Sequence, residues 1–200
     1  MNKTVDYYFS LISPWTYLGD AKFRDIAARQ GARIVYKPMK LGKVFPSTGG
    51  LPLAKRAPQR QDYRLVELAR WSKSLDLPMN LQPKYFPCDE SRAAGLVLAA
   101  IANGDDPGSL VHAILRTVWA DEGNIADDQT LIELANKVGL DGARLMALAD
   151  EPDIPVEWDR LSDEAIERGV FGSPFYMVGD EPFWGQDRLD MVEQALSSDL

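Results

Sequence analysis

Apolar and polar positions change their period three times along the chain. Val5 to Ile12 (VDYYFSLI) is rich in β-formers and predicts a buried strand. Helical spacing takes over at Pro14, with Gly19, Phe23, Ile26 and Ala27 on one face as far as Gln30, and ARIVYKPM from Ala32 returns to strand. Together these segments form a β-α-β unit. Phe45 to Pro58 is dense in Gly and Pro and predicts a loop. Four helical faces follow: Leu65, Leu68, Trp71 and Leu75; Ala93, Val97, Ala100 and Ile101; Leu110, Ala113, Ile114 and Thr117; and Leu131, Leu134, Ala135 and Val138, with Asp127 as cap of the last. FGSPFYMVGDEPFWG predicts two short strands joined at Gly179-Asp180. QDRLDMVEQAL predicts a final helix with Leu189, Val192 and Leu196 inward and Asp187 as cap.

This order defines an α/β chain with a thioredoxin-like fold (βαβ…ββα) and a large all-helical insertion. Residues 1–40 and 156–200 are expected to form the thioredoxin-like domain, and residues 41–155 the helical insertion.

Lys and Arg number 22 against 30 Asp and Glu, for a formal charge of −8. Nucleic acids and anionic membrane surfaces both recruit cations, so neither is expected as the main partner, although a local basic pocket for a small anion is compatible with this charge. The longest uncharged apolar run, around Leu96 to Ala102, is too short to span a bilayer. The N-terminal stretch has polar residues within its apolar run and no small-residue cleavage pattern. It is expected to be a first strand, not a leader, in a cytoplasmic protein. A single cysteine, Cys88, leaves no CxxC pair, and a single histidine, His112, excludes zinc motifs that need two.

Ser13 and Pro14 stand at the mouth of the first helix. Proline suits a first helical turn because its missing N–H costs nothing there. The free N–H groups of that turn favour an anion by about 0.3–1 kcal/mol when exposed and up to ~2 kcal/mol when sheltered. A hydroxyl donating to a charged acceptor adds roughly 1.5–3 kcal/mol. Lowering a thiol pKa from ~8.5 to ~6.5 takes about 2.7 kcal/mol, within reach of the two combined. Ser13 is therefore either a plain N-cap or the donor that stabilises a thiolate brought by a ligand.

Ser173-Pro174 is either an ordinary turn or an edge or cis proline that leaves the Ser173 backbone to pair with a peptide-like ligand. Gln186 and Asp187 are either a structural cap with Arg188 alongside or a seat for an amino-acid end such as a γ-glutamyl group. Lys55, Arg56 and Arg60 are either a solvated patch or a meeting point for a substrate carboxylate. Trp15, close behind Ser13, is placed to wall an aromatic substrate, whereas Cys88 reads as a loop or core cysteine and His112 as a surface or half-buried residue.

The segments FSLISPWTYLG, LARW, FP…R and AIERGVFGSPFYMVGDEPFWGQDRL, running nearly end to end, resemble 2-hydroxychromene-2-carboxylate isomerases. These are glutathione-dependent relatives of kappa-class glutathione transferases and bacterial disulfide oxidoreductases, and SPWT stands where the oxidoreductases carry CxxC. The resemblance implies glutathione as cofactor, with Ser13 at the sulfur, Ser173 and Pro174 at the cysteinyl part, Gln186 and Asp187 at the γ-glutamyl end and Arg60 at the glycyl carboxylate. It places Trp15 and Arg92 on the side of a small aromatic acid substrate and implies a homodimer. The implied reaction interconverts 2-hydroxychromene-2-carboxylate and trans-o-hydroxybenzylidenepyruvate by reversible thiolate addition. A kappa-like glutathione transferase and a non-catalytic thiol- or peptide-binding module are the alternatives. Gly50 and Asp89 depart from the family pattern, which commonly has Asn at both, and Ser173 stands where Val is frequent.

Overall fold

The computed structural model describes residues 3–197. The chain runs β1 (Thr4–Phe9), α1 (Pro14–Arg29), β2 (Arg33–Pro38), α2 (Leu41–Thr48), α3 (Pro58–Leu75), α4 (Ser91–Ala102), α5 (Gly108–Trp119), α6 (Asp128–Lys137), α7 (Gly142–Ala149), α8 (Asp153–Glu167), β3 (Phe175–Val178), β4 (Glu181–Trp184) and α9 (Leu189–Ser197). Short 3-10 turns occupy Leu53–Lys55 and Gln186–Arg188. The strands form one sheet in the order β2-β1-β3-β4. β1 and β2 are parallel, which requires the α1 crossover, and the other pairings are antiparallel. This is the expected thioredoxin-like arrangement, with α2 to α8 inserted between β2 and β3.

Period-two alternation in β1 gives the sheet two different faces. Val5, Tyr7 and Phe9 join Tyr36, Tyr176, Val178 and Phe183 in the larger core, against helices that include α1, α4 and α5. Tyr7 is its aromatic hub, stacked on Phe9 at 4.6 Å and on Tyr176 at 5.3 Å between ring centroids. Burying each such ring stabilises the fold by about 1.5–3 kcal/mol. Tyr8, Phe175 and Met177 point the other way and pack with Met39, Val44, Ala165 and Val170. The second face also carries charge, since Lys37 pairs with Asp6 at 3.2 Å and with Glu164, and the Tyr8 hydroxyl donates to Glu164 at 2.6 Å. Burial alone would raise the Glu164 pKa, yet hydrogen bonds from Lys37, Tyr8 and Arg160 hold it down at about 2.

Two expectations need correction. The Gly/Pro-dense stretch from Phe45 begins inside a helix, because α2 continues through Pro46 to Thr48 and stops at Gly49 in the left-handed conformation, φ 79°. Val44 and Leu41 pack on the second-face core, and that tertiary burial outweighs the local proline signal. At the other end, Asp187 lies within the 3-10 turn behind Gly185, not on an N-cap, and its carboxylate accepts from the Arg188 guanidinium at 2.8 Å. His112 is half-buried, as expected, and accompanies a fully buried acid: Asp20 meets His112 Nδ1 at 3.0 Å and accepts from the Tyr7 hydroxyl at 3.3 Å, tying α1 to both α5 and β1.

Gly19 lets the 3-10 turn sit directly on α1, for a Cβ there would lie 2.7 Å from Gln186 Cβ and 3.2 Å from the Tyr176 hydroxyl. Gly19→Ala is expected to cost about 1–3 kcal/mol through overpacking. At roughly 2–4 °C per kcal/mol for a domain of this size, the melting temperature should fall by several degrees. An unchanged melting temperature would mean that the turn is not held against α1.

Candidate active site

The site grows from the N-terminus of α1. Ser13 has extended backbone angles (φ −78°, ψ 122°), and its hydroxyl oxygen accepts the Thr16 N–H at 3.3 Å, so it is an N-cap with Pro14 in the first turn behind it. The same hydroxyl donates to the Ser173 carbonyl at 3.2 Å. Ser173 precedes a cis peptide bond to Pro174, and its own hydroxyl accepts the Ser10 N–H at 2.9 Å and meets Thr16 Oγ1 at 2.8 Å. Ser10, Ser13, Thr16 and Ser173 are all buried, so these bonds form a sheltered hydroxyl knot joining the end of β1, the mouth of α1 and the approach to β3. No acceptor among the described residues takes the N–H groups of Trp15 and Ser173.

Beneath the knot lies a carboxylate that the sequence pattern does not announce. Glu90 accepts the Ser10 hydroxyl at 2.9 Å with each oxygen and the Leu11 N–H at 2.6 Å. Burial pushes its pKa up to about 7, although the bonds from Ser10, Leu11 and Ile12 pull the other way. The same surroundings push the Cys88 thiol up to about 11, through burial first and then the charges of Glu90 and Asp89, which leaves it a poor nucleophile at neutral pH.

Gln186 is buried against α1 at Gly19, about a turn and a half beyond Ser13 along the helix. Beside the mouth of α1, Trp15 helps to line an open cleft of about 330 Å³ with Arg56, Arg60, Tyr63, Arg64 and Glu67, contributed by the start of α3 and the segment before it. Ser13, Ser173, Pro174 and Gln186 thus gather around the first half of α1, with Trp15 and Arg60 on the adjoining cleft. Arg92 does not join them. Its guanidinium is committed to Asp128 at 2.7 Å and Asp150 at 2.6 Å, and it lines a separate cleft with Lys40 and Trp158.

The departures at Gly50 and Asp89 have local causes. A Cβ at Gly50 would lie 2.3 Å from the Phe45 ring, so a side chain there would require Phe45 to shift. The Asp89 carboxylate accepts the Ser91 N–H at 2.9 Å at the start of α4. Of the residues not singled out by pattern, Arg64 was within reach, since it continues the four-residue spacing of Arg56 and Arg60. Glu90, Ser10 and Thr16 were not, because their partners lie far away in sequence.

A hydroxyl cap at a helix mouth, a cis proline facing it and this sheet order define a class. The chain belongs to the DSBA-like thioredoxin domain family, whose model matches residues 4–197. Within it, the chain belongs with proteins named 2-hydroxychromene-2-carboxylate isomerase. It is 32% identical to the one from Sphingobium xenophagum over 98% of this chain and 99% of that one. A solved structure of a 2-hydroxychromene-2-carboxylate isomerase superposes with a TM-score of 0.81 at 25% identity, covering 97% of this chain and 94% of that one. Human glutathione S-transferase kappa 1 is 20% identical over 97% of this chain and 91% of its own. Among the described residues no helix is long and apolar enough to cross a membrane, and no cluster of three or more His, Cys, Asp or Glu is placed to hold a metal.

Glu90 supplies a pH signature. Its carboxyl binds a proton more readily in the folded chain than in the unfolded one, so by linkage folding stability falls as pH rises from about 4.5 to about 7. Glu90→Gln keeps an acceptor for Ser10 and removes the titration. Urea unfolding should show the variant equal to wild type near pH 4 and more stable by about 1–3 kcal/mol at pH 8. An offset that is the same at both pH values would contradict this account.

Proposed function

We propose that the protein is a glutathione-dependent isomerase of a small aromatic acid, interconverting 2-hydroxychromene-2-carboxylate and trans-o-hydroxybenzylidenepyruvate or a related pair. The observation that carries the reading is the placement of the Ser13 hydroxyl on a proline-started helix mouth opposite the Ser173 backbone. Relatives named as isomerases of that acid and as a glutathione transferase support it.

The residues fit a γ-glutamyl tripeptide thiol. The unclaimed N–H of Ser173 is a donor for a peptide carbonyl, and the unclaimed N–H of Trp15 faces out of the first helical turn. Arg60 is exposed and makes no ion pair among the described residues, which suits a glycyl carboxylate. Gln186 and Asp187 supply polar groups for the α-amino and α-carboxylate end, Asp187 after release from Arg188. When bound, glutathione supplies a thiolate able to add reversibly to a conjugated carbon, so that a carbon–carbon bond can rotate. Ser13 serves by turning its O–H from the Ser173 carbonyl towards the sulfur, which frees that carbonyl as an acceptor. Thr16 holds the Ser13 oxygen through its N–H and steadies Ser173 through its hydroxyl, so the donor stays aimed. Trp15 walls the adjoining cleft against water.

The kappa transferase relative favours a second outcome, in which the thioether adduct is released. Product analysis separates the two, since an isomerase returns free thiol and a transferase yields a stable thioether. Calorimetric titration of glutathione into wild type and Ser13→Ala, with thiolate absorbance followed against pH, tests the shared step. Wild type should bind with the thiol pKa lowered by about two units, and the variant should lose most of that shift, roughly 1.5–3 kcal/mol of thiolate stabilisation. No binding at millimolar glutathione would overturn the proposal.

A further inference from the structure

Three arginines converge on the cleft beside Trp15, and no carboxylate pairs with any of them among the described residues. Acids outnumber bases 30 to 22 in this chain, so three such cations in one cleft are unexpected for a merely solvated patch. Arg64 lies 5.5 Å from the Phe86 ring centroid and 5.7 Å from that of Trp119, so aromatic faces hold it where a counter-ion would otherwise serve. None of its guanidinium N–H groups finds an acceptor among the described residues, although the residue is half-buried. Burial and the charge of Arg56 push its pKa down to about 10, and burial and Arg60 lower that of Arg56. Arg56 spends only its Nε–H, on the Leu51 carbonyl at 2.8 Å. The one acid lining the cleft among the described residues, Glu67, is paired with Arg70 at 2.7 Å. Among the described residues, no carboxylate is paired with any of the three cleft arginines to offset their mutual repulsion.

One glycyl carboxylate needs one of these cations, and Arg60 meets that need. The other two are surplus to glutathione. We propose that Arg56 and Arg64 form a second anion seat that holds the carboxylate of the aromatic substrate, with Trp15 and Tyr63 flanking its ring. A planar guanidinium presents two parallel donors to a carboxylate, which gives direction as well as charge. The cleft, about 330 Å³ in volume, is at the small end of ligand sites and suits a one- or two-ring acid. This assignment rests on the isomerase reading and adds to it the residues that select an anionic substrate.

The test uses trans-cinnamate and its neutral methyl ester as probes, titrated calorimetrically into the full chain with and without saturating glutathione. Wild type should bind cinnamate in the presence of glutathione and bind the ester at least tenfold more weakly. Arg64→Met and Arg56→Gln should each weaken cinnamate roughly ten- to a hundredfold, while glutathione affinity stays within about twofold. Arg64→Lys, which keeps the charge without the fork, should fall between and carries the test together with Arg56→Gln if Arg64→Met does not fold. Equal binding of acid and ester, undiminished binding in the variants, or no cinnamate binding at millimolar concentration would each overturn the seat. Loss of glutathione and cinnamate together in Arg64→Met would also overturn it and assign Arg64 to glutathione. If glutathione fails to bind but cinnamate binds through Arg64, the glutathione reading falls and the anion seat stands.

Discussion

The antiparallel pairing of β1 with β3 joins residues about 170 positions apart, and the site exists only where that seam closes. Loop-closure entropy grows slowly with length, so even this separation is tolerable once the sheet buries its two aromatic faces. The Ser173 hydroxyl completes the closure. It binds the Ser10 N–H at the end of one strand and Thr16 in the first helix, while its carbonyl takes the Ser13 hydroxyl. A fold that aligns these three segments has placed the helix mouth opposite the proline loop without further adjustment. Rigidity at the site is thus inherited from the sheet.

Ionisable groups of both signs border the seam. Glu90 lies under the Ser10–Leu11 turn, whereas Arg56, Arg60 and Arg64 line the cleft beyond Trp15. Once ionised, Glu90 repels an anion arriving at the helix mouth, whereas the guanidinium groups attract it at any ordinary pH. The net −8 charge of the chain makes that local reversal of sign a filter, because an acidic surface admits small anions only where cations are concentrated.

The sheet, its order of elements and the separate signals at Ser13-Pro14 and Ser173-Pro174 were legible because they depend on period, capping and proline, all of which act within a few residues, whereas the bond between Ser13 and Ser173 spans 160 positions. Asp127 illustrates this, since its carboxylate accepts the Thr130 N–H at 2.8 Å as its position before an apolar helical face predicts. The extent of α2 was not legible, because Val44 and Leu41 are drawn into helix by partners on α8 and beyond. Glu90 was hidden for a related reason, for nothing near it in sequence distinguishes it from the adjacent Asp89. Only the fold shows that one reaches Ser10 and Leu11 beyond the end of β1 while the other accepts the Ser91 N–H two residues on. Arg92 shows the converse limit, since its pairing with Asp128 and Asp150, 36 and 58 positions away, is equally invisible in the local sequence.

The border strand β4 has a consequence for how the molecules behave in a crowd. Val178 and Glu181 flank the two-residue turn at Gly179-Asp180, which makes them a hydrogen-bonded pair and turns the backbone groups of Pro182 and Trp184 outward. Pro182 has no N–H to offer on that side, and Glu181 adds an exposed charge. A strand from a neighbouring molecule finds an interrupted row of donors and cannot extend the sheet. Although the Trp184 ring stands 54% exposed at this border, sheet growth from one molecule to the next is blocked at the backbone.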